Sequence, residues 1–578
     1  MSKNRDEKNR DMAVERLLTS ESREVVKELF PLSGRDALNR LLDQDNPLRI
    51  VQGMTRVDFF WVIKKIGEDD SFPILSLASP EQWQYLLDME LWQRDRIDLE
   101  HASSWLGRLH KADPERVARW LFSSDGNLLS HYYFYRVLHV IVKEDEDQTI
   151  PEGFITFDNV YYMQIQDKEN EEVIGRILRF MADEDFNMFQ ALLMGLAGIL
   201  PDEVEEEMYR LKGVRLAEDG YLPFEEAISV YSYQKADLLK KDESEYKLFL
   251  PSGEEARGLV PLTPFIHTQG DNLMALSIAE ITDSIFLDRL RLEFAGLCNQ
   301  IFSADAVRPD DPGVLAQICR KASGYINVGL ERLSQDSIEL AKQYMENNPL
   351  IAIFRAGFGI ALELKWEAEQ WVGDAWFLDQ GLEPDFWGDE WGGYLRGFLQ
   401  EKPLFFRGLE KGEEYRDFEQ ISEVEYCRTI LHRLMALDRL MAILSSIYPL
   451  DEDSLKDPLL SFHPILFSLW ARGQLGLDPG FGTLSLEQVG VFLGLVRGRE
   501  KEPPFGMPGF RETFVRDFMG HASDLDPDLS DVLEDTLSQV WQQFSEEYAW
   551  VTVSDLDERF AKFFLIHPAL NQIDSDKS

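Results

Sequence analysis

The chain is 578 residues long, 44% hydrophobic and 12% aromatic, which is too long for a single core and too apolar for a disordered chain. Lys and Arg number 59 against 104 Asp and Glu, and the formal net charge of −45 sets the chain against phosphate backbones and anionic membrane surfaces. Three widely spaced cysteines, Cys298, Cys319 and Cys427, with no Cys-x-x-Cys, give no disulfide framework and suit a reducing cytoplasm.

Residues 1–30 form a charged N-terminal segment. Its opening, "MSKNRDEKNRDMAVERLL", has no apolar core of the kind a signal peptide carries. Short helices in pairs are predicted next. "TRVDFFWVIKKIG" has Thr55 and Asp58 as a cap pair and Gly67 as the stop. In "SPEQWQYLLDMELWQRDRID", Ser79 caps, Pro80 takes the first helical position and Gln82 completes a capping box; Trp83, Leu86 and Leu87 form the apolar stripe. The same punctuation returns in "DPERVARWLF", where Asp113 caps, Pro114 follows and Val117, Trp120 and Leu121 form the stripe. Helix pairs at this spacing suit repeat-like packing, in which each pair buries its stripe on the next. Trp83, Tyr85 and Trp92 are therefore read as inter-helix packing.

"PEGFITFDNVYYMQIQD" breaks the helical pattern. Phe154–Phe157 and Val160–Ile165 are rich in aromatic and β-branched residues, with Asp158-Asn159 at turn spacing, and one β-hairpin is expected near 154–165. The apolar runs "FNMFQALLMGLAGIL" and "PLIAIFRAGFGIALEL" are read as buried core helices. The first is too short to span a bilayer and the second carries Arg355. Lys240–Gly258 is polar and turn-rich. The expected organisation is a helical repeat-like domain with the hairpin over 31–240, a linker at 241–258, a helical C-terminal region over 259–570 with a possible division near 371–412, and a disordered tail at 571–578. The fold class is mainly α, multi-domain.

The runs "LFPLSGRDALNRLLDQDNP", "LASPEQWQYLLDMELWQRDRID", "DGYLPFEEAISVY" and "GGYLRGFLQEKPLFFRGL" resemble a bacterial family known only as a domain of unknown function, over roughly Leu29 to Leu565. The resemblance implies no activity and no site residues. The N-terminal helix pairs are also faintly similar to the helical-repeat N domains of magnesium transporters and of the flagellar switch protein, through a turn, a Pro-Glu and a following leucine.

Motifs that carry chemistry are missing from the sequence. It has no Walker-type or dinucleotide-binding glycine loop, no His-Glu-x-x-His, no calcium loop and no Gly-x-Ser-x-Gly. His131 and His139 lack a third ligand at binding spacing, so no metal and no cofactor is expected. One tract is unusual: "EPDFWGDEWGGYLRGFLQEKPLFFRGL", Glu383 to Leu409, which sets Arg396 and Arg407 among aromatics that include Trp387, Trp391, Tyr394, Phe398, Phe405 and Phe406, with Asp389 in a Gly-flanked loop. Aromatic faces beside planar cations can stack a ring or hold a carboxylate. The plainer reading is core aromatics, with the arginines paired to abundant acids. Pro403 predicts that any helix carrying Arg396 stops near Lys402, which places Arg407 on a separate element.

The leading reading is a cytoplasmic, non-enzymatic protein-interaction, regulatory or scaffold protein, with a protein partner, no nucleic acid and no membrane insertion. The alternative is a small-ligand-binding protein or enzyme that uses Asp389, Arg396 and Arg407 in the tract 383–409.

Overall fold

Ser79 starts its helix as its sequence dictates. In the computed structural model its hydroxyl accepts from the Gln82 N–H at 3.2 Å and the Gln82 side-chain oxygen accepts from the Ser79 N–H at 2.8 Å. The Gln82 amide also donates to the carbonyls of Val51 and Met54, at 2.8 and 3.0 Å, so one capping residue both begins a helix and ties it to the preceding segment. The structure describes residues 21–143, 145, 147–239, 261–267, 270–408, 412–448, 460–497, 502–507, 509–523, 525–557 and 561–566. The expected linker at 241–258 and the tail at 571–578 lie outside the described residues, as does most of the N-terminal segment.

The chain divides into two compact units, Met1–Gly357 and Phe358–Ser578. Both are mainly helical with only small antiparallel sheets. No described helix is long and apolar enough to cross a membrane.

In the first unit the short capped helices follow one another as the sequence predicts. Thr55 caps Arg56–Ile66, Ser79 caps Pro80–Glu90, Asp98 caps Leu99–Ala112 and Asp113 caps Pro114–Phe122. Trp83, Leu86, Val117 and Leu121 are buried, and the Arg116 guanidinium lies 4.1 Å from the Trp83 ring centroid, which links the two similarly punctuated helices. The hairpin forms, with Ile155 opposite Met163 and Thr156 opposite Tyr162, and Asn159 takes a left-handed φ of 60° in its loop.

A third strand, Leu138–Val142, pairs along the whole of Tyr161–Ile165, so the element is a three-stranded sheet and not a lone hairpin. The sequence hides this strand because "LHVIV" follows the helix Asn127–Val137 with no Gly or Pro between them. The run at Phe186–Leu200 also differs from expectation. Its helix ends at Leu196, and Met188 (44%), Met194 (65%) and Leu200 (60%) are exposed, so it is a half-buried helix rather than a core one. Gly357, by contrast, lies against the neighbouring helix as its small size predicts: a Cβ there would meet the Tyr325 carbonyl oxygen at 1.8 Å.

In the second unit, Ile421–Ile447 packs on Asp389–Phe398 and on Pro527–Tyr548. The aromatic residues of Phe462–Gln474 and Pro527–Tyr548 form the core, with Phe467 stacked on Phe514 and on Phe544 at 4.9 and 4.3 Å. This scaffold holds the tract singled out above.

Candidate functional site

The tract folds as a 3-10 turn at Pro384–Trp387, the helix Asp389–Phe398 and the short strand Phe405–Phe406, which pairs with Tyr415–Arg416. The helix stops at Phe398, a turn before Lys402, because the chain turns back there: the Leu404 N–H donates to the Gly397 carbonyl at 2.9 Å. Its glycines serve packing. A Cβ on Gly393 would meet the Phe406 ring at 2.6–2.8 Å, and one on Gly392 would meet the Pro384 carbonyl oxygen at 2.4 Å. Gly388 sits at φ 84°, ψ 168°, a backbone region open essentially to glycine alone, and so turns the chain sharply into the helix.

That turn sets Trp387, Gly388, Asp389, Glu390 and Trp391 along one wall of a pocket of about 410 Å3. His463, Gln543, Glu546, Glu547 and Phe563 complete it. Four carboxylates therefore line one cavity, from two helix ends: Asp389 and Glu390 open Asp389–Phe398, and Glu546 and Glu547 lie in the last turn of Pro527–Tyr548. All four are exposed, and among the described residues none of them forms a salt bridge. Glu390 accepts from the Tyr426 hydroxyl at 3.3 Å and Glu546 from the Gln542 amide at 2.8 Å.

The remaining lining is aromatic or amide. Trp391 stacks on Phe462 at 5.8 Å with 9° between the planes, and Trp387 meets Phe386 edge-on at 4.9 Å. Trp387 is 1% exposed and its buried indole Nε1–H has no hydrogen-bond partner among the described residues. His463 lies against Phe462 and Phe563, with ring centroids at 3.9 and 4.7 Å, and its Nε2 is 3.0 Å from the Gln543 side-chain oxygen. Burial drives this imidazole down to about 4, against the opposing pull of the Gln543 hydrogen bond, so it is neutral near pH 7. With Gln543 accepting from Nε2–H, the Nδ1 lone pair is left as an acceptor.

Of the three residues singled out from the sequence, only Asp389 lines this pocket. Arg396 is ion-paired with Asp385, and Glu414 is 4.0 Å away on its other side. Arg407 follows the strand Phe405–Phe406; its N–H donates to the Glu414 carbonyl at 2.8 Å, and its side chain makes no hydrogen bond or ion pair among the described residues. A cation that does stack on the tract is Arg416, 4.8 Å from the Phe405 centroid and ion-paired with Glu423. Sequence reasoning missed His463, Gln543, Glu546, Glu547 and Phe563, which come from helices and a terminal segment far along the chain. The one local signal was a pair of glutamates at the end of a helix in "FSEEYAW".

His131 and His139 lie on different elements, and His131 Nδ1 is 2.7 Å from the Asn127 carbonyl oxygen. Among the described residues no group of three His, Cys, Asp or Glu side chains is placed to hold a metal ion.

The fold and the pocket thus define a mainly helical protein of two units, the second of which carries an acid-walled aromatic cavity. The chain belongs to a family of unknown function (DUF6178), whose model matches residues 15–567. No curated protein and no solved structure matches it.

Proposed function

We propose that the protein is a non-enzymatic recognition protein that binds a cationic group of a partner in the pocket of its second unit. One observation carries this reading: four carboxylates converge on an aromatic-walled cavity, and no cation of the chain answers them among the described residues. The 104 acids of the chain outnumber its 59 bases, so unpaired acids are common on it, and what supports the reading is that these four line one cavity. The volume of about 410 Å3 falls within the roughly 300–1,000 Å3 of ligand sites.

The reading is tested by fluorescence anisotropy of a labelled basic peptide and a labelled acidic peptide against the full chain. Saturable binding of the basic peptide is expected, with at least a tenfold loss in the variant Asp389→Asn/Glu390→Gln/Glu546→Gln/Glu547→Gln. Equal binding of both peptides, or basic-peptide binding that ignores the variant, would refute it.

A further inference from the structure

The chain has three cysteines in 578 residues, and two of them meet. Cys298 lies in the helix Ser284–Ala304 and Cys319 in the helix Pro312–Ser334, both within the first unit. The two helices pack on each other, and the sulfurs are 3.8 Å apart. Both side chains are fully buried, as are Phe294, Ile301 and Phe302 one turn from Cys298 and Leu315 and Ala322 one turn from Cys319. Cys427, the third, is buried in the second unit.

A buried thiol pair can pack, ligate a metal, act as a nucleophile or bond to itself. A closed metal site needs further ligands, and among the described residues no group of three His, Cys, Asp or Glu is placed to supply them. Burial pushes the Cys298 thiol well above its usual range, which is the opposite of an activated nucleophile. Packing is served by any small apolar residue and gives no reason for one sulfur to face the other. Two sulfurs already in contact are the arrangement from which a disulfide of about 2.05 Å closes. We propose that Cys298 and Cys319 are a dithiol–disulfide redox couple, closed by hydrogen peroxide, that ties the two helices together. One sulfur attacks a peroxide oxygen; the O–O bond breaks and leaves a sulfenic acid and water. The second sulfur then displaces that hydroxyl as water and forms the S–S bond. Each sulfur gives up one electron, the peroxide takes two, and the thiol hydrogens leave in two waters. The bond closes a loop across the connection between the helices and removes conformations from the unfolded chain, so oxidation stabilises the first unit. The couple is independent of the pocket in the second unit.

Peroxide titration of the full chain, followed by alkylation in denaturant and peptide mass mapping with and without reduction, tests this. A reducible cross-link between the peptides of Cys298 and Cys319 is expected, with Cys427 alkylated as a free thiol. The melting temperature should rise by about 2 °C or more and return on addition of dithiothreitol. Cys298→Ala/Cys319→Ala, treated alike, should show no rise, which separates the couple from methionine oxidation; Cys427→Ala should keep it. Free thiols at both positions after peroxide, or sulfinic and sulfonic acids there in place of a cross-link, would overturn the proposal. So would cross-links that join Cys427 as readily, or a cross-link that lowers the melting temperature.

Discussion

His463 shows what one buried side chain costs and what it offers. It is enclosed by Phe462, Phe563 and the Gly388 turn, and burial holds it neutral with a pKa of about 4, where an unburied histidine titrates near 6.5. The unfolded chain therefore binds this proton between pH 6.5 and about 4 and the folded chain does not. Stability linked to His463 is complete above pH 6.5 and is lost as the pH falls toward 4, at most about 3 kcal/mol. Urea titrations at pH 7 and pH 5 should show His463→Gln with a smaller loss over that interval than the parent chain; an identical loss would remove the titration from the account. Asp58 is a second buried group, and among the described residues it forms no salt bridge. It accepts from Leu262 N at 3.0 Å, Thr263 N at 2.8 Å, Thr263 Oγ1 at 2.6 Å and Thr55 Oγ1 at 2.9 Å, and so fixes the segment at 262–263 onto a helix two hundred residues earlier. Asp58→Ala strands these donors and should cost about 3 kcal/mol or more in chemical denaturation. A loss under about 1 kcal/mol would mean that the segment detaches without penalty.

At the scale of the element, the pocket has an energetic signature. Acids in a first turn, such as Asp389 and Glu390, suit the positive end of a helix. Glu546 and Glu547 lie at the opposite end of theirs, with no basic residue in the last turn, where carbonyls already concentrate negative charge. Neutralising them should relieve about 0.3–1 kcal/mol each, so Glu546→Gln/Glu547→Gln should melt higher while binding basic peptide more weakly. A residue pair kept only for stability would move both quantities downward. Helix contacts make an opposite prediction at Gly357: Gly357→Ala drives a methyl onto the Tyr325 carbonyl oxygen and should destabilise far more than Gly373→Ala, whose Cβ would meet nothing closer than 3.6 Å. Equal melting temperatures for the two variants would refute the close approach. Local signals explain why such elements were legible in the sequence. Ser79, Gln82 and Asp113 announce their helices because capping acts over three residues, and Asp158-Asn159 announces its turn for the same reason. Leu138–Val142 carried no such mark at its start, since the partner that makes it a strand lies some twenty residues on. The pocket was legible only in its Trp387–Trp391 half. That half is continuous in the chain, whereas Glu546 and Glu547 become its neighbours only through tertiary packing.

Across the whole molecule, the charge of −45 acts on folding and on recognition with opposite signs. Self-repulsion among 104 acids opposes compaction, and the same field draws a basic partner toward the carboxylates at the pocket. Added salt screens both over a Debye length of about 10 Å at 0.1 M and 3 Å at 1 M. The melting temperature should therefore rise between 25 and 500 mM NaCl, while the affinity for a basic peptide falls at least tenfold, chiefly through slower association. The pairing of these two trends matters more than either alone. Salt that merely stabilised apolar burial would raise the melting temperature and leave association untouched, and a ligand held by apolar contact alone would keep its affinity. The exposed carboxylates Asp389, Glu390, Glu546 and Glu547 fix which way the second trend must run, because exposed charges are the ones that salt reaches. Stopped-flow association at the two salt concentrations, beside thermal melts of the same samples, checks both. An association rate that does not change with salt would remove the electrostatic basis of the recognition proposed here, whatever the melts show.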